Sequence, residues 1–114
     1  MITDEIRAVL KRRAETEDEW DYGVEKCWEE EVEILTRNVK DTIWFFENEC
    51  TADELSWISE VFDEIFEKTP DIELYYCIRN TCTKYPEECE KYYIFQQLDD
   101  WEEAILFISS QERV

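Results

Sequence analysis

Thr51-Ala52-Asp53-Glu54-Leu55-Ser56-Trp57-Ile58-Ser59-Glu60-Val61-Phe62-Asp63-Glu64-Ile65-Phe66-Glu67-Lys68 decides the fold class of this chain. A threonine followed three residues later by a glutamate is a capping box, in which each side chain accepts a hydrogen bond from the other residue's backbone N–H. Behind this start signal, Leu55, Ile58, Val61, Phe62, Ile65 and Phe66 share an arc of roughly 140° at 100° per residue, while Asp53, Glu60, Asp63, Glu64 and Glu67 gather opposite. The stretch predicts one long amphipathic helix ending near Lys68.

The same periodicity extends in both directions. Upstream, Asn38 is placed to cap a helix in which Val39, Ile43, Phe46 and Cys50 recur at helical spacing, with Trp44 and Phe45 pointing elsewhere. A helix apolar on more than one side belongs between neighbours, so this one is expected near the centre of the fold. Before it, a helix from about Asp21 carries Val24, Cys27, Trp28, Val32 and Leu35 on one stripe, interrupted by Glu31. The first helix starts after Thr3, turns Ile6, Val9 and Leu10 inward, and holds Lys11-Arg12-Arg13 in its last turns, where cations suit the helix dipole. The acidic stretch from Glu15 to Glu19 ends it or forms a loop.

Downstream, Thr69-Pro70 reads as a cap with proline at the first helical position, launching a helix with Leu74, Ile78 and Cys82 inward. Pro86 stops that helix and is placed to start another, and Ile94, Leu98, Trp101, Ile105 and Ile108 form a terminal stripe ending near Phe107 to Ser109. One Gly and two Pro leave few means of building the tight turns of a β protein. The expectation is an all-α protein: five or six antiparallel helices in a compact bundle or short solenoid-like stack, with residues 1–114 as a single domain.

Charge is the second decisive feature. The chain has 31 Asp and Glu against 12 Lys and Arg, a formal net charge of −19, yet it is 44% hydrophobic and holds five Trp, six Tyr and six Phe. Disordered acidic chains lack the aromatic residues needed to offset the entropy lost on ordering, so the composition argues for a folded anionic body. Its potential attracts basic partners, repels nucleic acid and anionic membranes, and disfavours self-association, so the free protein is expected to be a monomer. There is no apolar run of membrane-spanning length, and Met1-Ile2-Thr3-Asp4-Glu5 lacks the basic segment and apolar stretch of a signal peptide, which reads as cytoplasmic.

Composition also removes chemistries. With no histidine there is no His-dependent triad, His general base or mixed Cys/His metal site. Cys27, Cys50, Cys77, Cys82 and Cys89 are odd in number and contain no CxxC pair, so they read as reduced, mostly buried thiols. Gly23 is the sole glycine, which excludes a Gly-rich phosphate loop. Asp18, Gly23 and Glu29 match three positions of a calcium loop, but Trp20 and Tyr22 stand where oxygen ligands belong. Lys11-Arg12-Arg13 is too small for a nucleic-acid groove and is expected to pair locally with Glu15, Glu17 or Asp18. Neighbouring carboxylates such as Glu29-Glu30-Glu31, Asp99-Asp100 and Glu102-Glu103 read as solvated helix faces. A slight shift of its helix would let Glu31 reach solvent, which is the preferred reading; burial would instead raise its pKa. No catalytic residue, metal or cofactor is assigned, and the protein reads as a binding protein rather than an enzyme.

What remains is an acidic surface interleaved with large aromatics. Trp44, Phe45, Trp57, Tyr76, Tyr92 and Phe107 lie at the edge of their helical stripes or away from them, and burial of all six is not expected. Interfaces favour Trp and Tyr anchors ringed by polar groups. The candidate partner-binding residues are therefore Asp53, Trp57, Glu60, Asp63, Glu64 and Glu67, with Trp57 as first anchor.

The segment Asn48-Glu49-Cys50-Thr51-Ala52-Asp53-Glu54 and its continuation to Thr69 resembles a stretch of small acidic helical proteins of bacteria that accompany polymorphic or contact-dependent growth-inhibition toxins. The resemblance is strongest over roughly residues 38–69 and implies an immunity protein, a cytoplasmic inhibitor that binds the C-terminal domain of a cognate toxin. Many such toxins are nucleases, whose basic substrate groove a carboxylate surface can cap. The alternatives are an acidic, nucleic-acid-mimicking inhibitor or adaptor of another basic protein, and a metal-assisted carboxylate enzyme built on Glu31 and the stretch from Asp18 to Glu29.

Overall fold

In the computed structural model, which describes residues 2–17 and 21–112, the capping box forms as its sequence demands. The Glu54 N–H donates to the Thr51 hydroxyl at 3.2 Å and the Thr51 N–H to the Glu54 carboxylate at 3.0 Å. The helix it opens is α4 (Ala52–Ile58), followed by a 3-10 turn (Ser59–Val61) and then α5 (Phe62–Lys68). The single long helix expected from the sequence is thus interrupted, with Val61 departing from helical backbone angles. Tightening to three residues per turn aligns Ile58 with Val61. All six residues of the apolar arc, Leu55, Ile58, Val61, Phe62, Ile65 and Phe66, are fully buried. Burial of each such side chain is worth about 1.5–3 kcal/mol, which outweighs the cost of one disturbed helical turn.

The remaining elements are α1 (Ile2–Glu15), α2 (Asp21–Arg37), α3 (Val39–Asn48), α6 (Ile72–Lys84), α7 (Pro86–Lys91) and α8 (Ile94–Glu112). The described residues are all-α, with no strand among them, and form eight α-helical segments rather than five or six. The excess comes from the break after α4 and from the short α7. Pro86 takes the first helical position of α7. Asn38 caps α3 as expected, accepting from the Asp41 N–H at 3.3 Å.

At α6 the expected start is corrected. Asp71, not Thr69, is the cap: its carboxylate accepts from the Leu74 N–H at 2.9 Å, the helix begins at Ile72, and Pro70 lies in the connection. The terminal helix also runs beyond Ser109, to Glu112.

Helix α1 lies against α2, α3 against α6 with further contacts to α1 and α2, and α6 against α8. One buried cluster runs through all of them, from Ile2, Ile6 and Val9 through the six α4–α5 residues to Leu98 and Ile105. Phe45, which lies off the main stripe of α3, is fully buried and packs edge-on against Phe46 at 5.6 Å, as suits a helix apolar on more than one side. Among the described residues no helix is long and apolar enough to cross a membrane. On the outside of the cluster, α5 contacts α2 on one flank and is tied to α8 on the other, where Trp101 Nε1 donates to Asp63 at 2.6 Å.

Candidate functional site

The acidic face of α4 and α5 divides into two parts, because α1 and α2 cover one portion of it. Arg13, at the end of α1, is buried and donates through Nε and Nη2 to the two carboxylate oxygens of Glu60, at 2.9 and 2.8 Å. The Arg13 guanidinium stands 5.1 Å from the ring centroid of Trp57 and 6.0 Å from that of Trp28. Trp28 Nε1 also donates to Glu60 Oε1 at 3.2 Å. Glu60 and Trp57, two of the expected partner-binding residues, are thereby drawn into a structural ion pair walled by indoles. The basic cluster pairs between helices, Arg12 with Glu30 and Arg13 with Glu60; the Asp18 expected beside it lies outside the described residues, as does the first position of the calcium-loop match.

Glu31 completes this cluster and corrects the expectation that it reaches solvent. Its side chain is fully buried, and neither carboxylate oxygen has a hydrogen-bond partner. Burial, reinforced by the neighbouring Glu60 and opposed by Arg13, pushes its pKa up to about 8. Glu31 stands near the centre of the stripe formed by Val24, Cys27 and Leu35, all buried, so the helix cannot turn it outward without exposing them.

The other part of the acidic face is open. Asp53, Asp63, Glu64 and Glu67 are exposed. Asp53 stands at the start of α4, whereas the other three crown α5, which forms a ridge between two grooves. The groove toward α2, about 350 Å³, is lined by Glu25, Trp28, Glu29, Val32 and Glu64. The groove toward α8, about 610 Å³, is lined by Asp63, Glu67, Gln97, Asp100, Trp101 and Ala104. Each joins three carboxylates to one half-buried Trp, and neither has a Lys or Arg among its described lining residues. Such a surface suits cationic groups carried on apolar stems.

The sequence reading found the α5 half of these grooves and missed the walls. Their signal was present as a Trp at the margin of an apolar stripe with carboxylates beside it: Glu25, Trp28 and Glu29 on α2, and Asp100 and Trp101 on α8. Of the six aromatics singled out, Trp44, Tyr76, Tyr92 and Phe107 are exposed, Trp57 is half-buried and Phe45 is core, so they are indeed not all buried.

The thiols are all buried and unbridged. Burial pushes Cys50 up to about 12 and Cys77 up to about 11, and raises Cys82 and Cys89 as well, which keeps these four protonated and unreactive. Among the described residues no group of three or more Cys, Asp or Glu is arranged to hold a metal ion. No protein family, curated protein or solved structure matches the chain.

Proposed function

We propose that the protein is an immunity protein, which binds and neutralises a basic, nuclease-like toxin domain, and that α5 is the ridge on which the toxin sits. The observation that carries this reading is the pair of carboxylate-lined, Trp-bearing grooves on either side of α5, six acidic groups with no cation among the described lining residues. Uncompensated carboxylates around aromatic anchors are arranged for a cationic partner: the charge speeds encounter, and the apolar floor slows departure. The resemblance of residues 48–69 to proteins that accompany growth-inhibition toxins supplies the kind of partner. In this reading the inhibitor is a single cytoplasmic helical domain with no catalytic group and no cofactor.

Co-expression with the C-terminal domain of the toxin encoded immediately upstream tests it. A stoichiometric complex that protects cells, and forms more slowly as salt is raised, is the expected result. Failure to protect overturns the immunity reading, and capture of a host nucleic-acid-binding protein in its place would turn the same surface into a nucleic-acid mimic.

A further inference from the structure

Within that proposed interface, the two grooves differ in what they offer. In the α8 groove one of the three lining carboxylates, Asp63, is already engaged, accepting on one oxygen from the Trp101 indole N–H and from Gln97 Nε2 at 3.4 Å. The Trp28 indole N–H of the α2 groove is instead held by Glu60, which is not among that groove's lining residues. The α2 groove is simpler: the Trp28 ring and Val32 form an apolar floor, and Glu25, Glu29 and Glu64 stand exposed at its rim. Its volume of about 350 Å³ lies at the small end of the range for ligand pockets.

We infer that the α2–α5 groove is a receptor for an arginine side chain of the partner, whose methylenes cover Val32 and Trp28 while its guanidinium meets Glu29 and Glu64. This rests on the reading of α5 as the contact ridge. Arginine is preferred over lysine for two reasons. A guanidinium is planar and weakly hydrated, stacks on indole and takes carboxylates two bonds at a time, whereas an ammonium is a compact, strongly hydrated charge. The protein also already contains one such arrangement in its interior, where Arg13 lies against Trp57 and Trp28 and binds Glu60 through two nitrogens. The groove presents the same components, an indole and carboxylates, to the outside.

The test is titration of the full chain with a capped hexa-arginine peptide and with its hexa-lysine counterpart at fixed ionic strength, read by the indole N–H resonances of the tryptophans. The expected result is a saturable shift of the Trp28 resonance, at least about threefold tighter binding of the arginine peptide, and a loss of that preference in Glu29→Gln/Glu64→Gln. A second variant, Glu87→Gln/Glu90→Gln, removes the same charge from exposed positions on α7 and should keep the preference. Equal weakening by both variants, or a Trp28 resonance that does not respond, overturns the arginine receptor and leaves the basic-partner reading standing. Absence of binding by either peptide at low salt overturns both.

Discussion

Arg13 and Glu60, 47 residues apart in the chain, form a two-bond ion pair in which the arginine side chain is 7% exposed and the glutamate 27%. Arg13 is buried while Glu60 keeps one side to solvent, so the pair lies between a surface salt bridge and a buried one, and removing Glu60 takes a two-bond partner from a poorly solvated guanidinium. Glu60→Gln is therefore expected to destabilise the fold by about 2 kcal/mol, with a fall in Tm of more than about 5 °C. Arg13→Lys should also destabilise, by about 1–2 kcal/mol, since an ammonium keeps the charge but loses the fork and the stacking on Trp57. Urea denaturation measures both. A Glu60→Gln protein within 0.5 kcal/mol of the parent would mean that the pair contributes nothing, and would return Glu60 to the list of free acidic residues.

Glu31 makes the stability depend on pH in a direction opposite to that of most carboxylates. Its folded pKa of about 8 exceeds the ordinary value of 4.5, so the folded state holds a proton that the unfolded chain has lost. Below about pH 4.5 both states are protonated and nothing is lost. Between about 4.5 and 8 stability declines as pH rises, by up to about 1.4 kcal/mol per unit, and levels off above 8. The groups facing Glu31 are Glu60, which strengthens the effect, and Arg13, which weakens it. Glu54 acts in the opposite sense. Burial would raise it, but hydrogen bonds from Arg7 and Thr51 outweigh this and hold it low, so its contribution is lost as pH falls below the ordinary carboxylate range. Glu31→Gln should remove the decline between pH 5 and 8 and make the protein more stable than the parent at pH 8. Denaturation curves for the two proteins at pH 5, 6.5 and 8 give the difference directly, since the other acidic residues are common to both; parallel curves would contradict a neutral, buried Glu31.

The all-α class and the buried face of α4–α5 were legible in the sequence because they follow from local rules: a cap, a 3.6-residue period and six large apolar side chains on one arc. The roles of Glu60 and Glu31 were not, and for one shared reason. Glu60 lies opposite the apolar arc, which reads as a free solvated carboxylate, yet Arg13 of α1 and Trp28 of α2 both donate to it. Glu31 sits in an apolar stripe, which reads as a register error, yet the burial of Val24, Cys27 and Leu35 holds it in place. Both depend on which helices meet, information that periodicity within one helix does not contain. At Thr69-Pro70-Asp71 two cap residues competed, and the outcome turned on which of them could reach a free N–H; Asp71 reaches that of Leu74.

The connection between α7 and α8 carries backbone strain at an exposed aromatic. Tyr93 has φ of +57° and is 70% exposed, in the left-handed region that costs a residue with a Cβ about 1–2 kcal/mol. Glycine accepts this geometry and returns part of the gain as unfolded-state entropy. Tyr93→Gly is expected to raise stability by up to about 1 kcal/mol, seen as a Tm higher by a few degrees. A lower Tm would show that the Tyr93 side chain contributes more through its contacts than its backbone loses.

On α5 the distinction between structural and binding carboxylates becomes measurable in a single set of variants. Glu64 and Glu67 are exposed, so their neutralisation should change stability by no more than about 0.5 kcal/mol. Asp63 holds the Trp101 indole, so Asp63→Ala should cost about 1 kcal/mol in addition to any effect on binding. If α5 is the docking ridge, Glu64→Gln/Glu67→Gln slows association with the basic partner several-fold at low salt and converges on the parent as salt screens the field, with little change in dissociation. Trp28→Ala should instead speed dissociation, because the ring supplies the groove floor; it also loses the indole bond to Glu60, so its Tm must be measured alongside. Stopped-flow association across a salt series separates the two effects. An unchanged association rate in Glu64→Gln/Glu67→Gln would move the interface away from α5, because a ridge that carries the contact cannot lose two of its charges without altering the encounter.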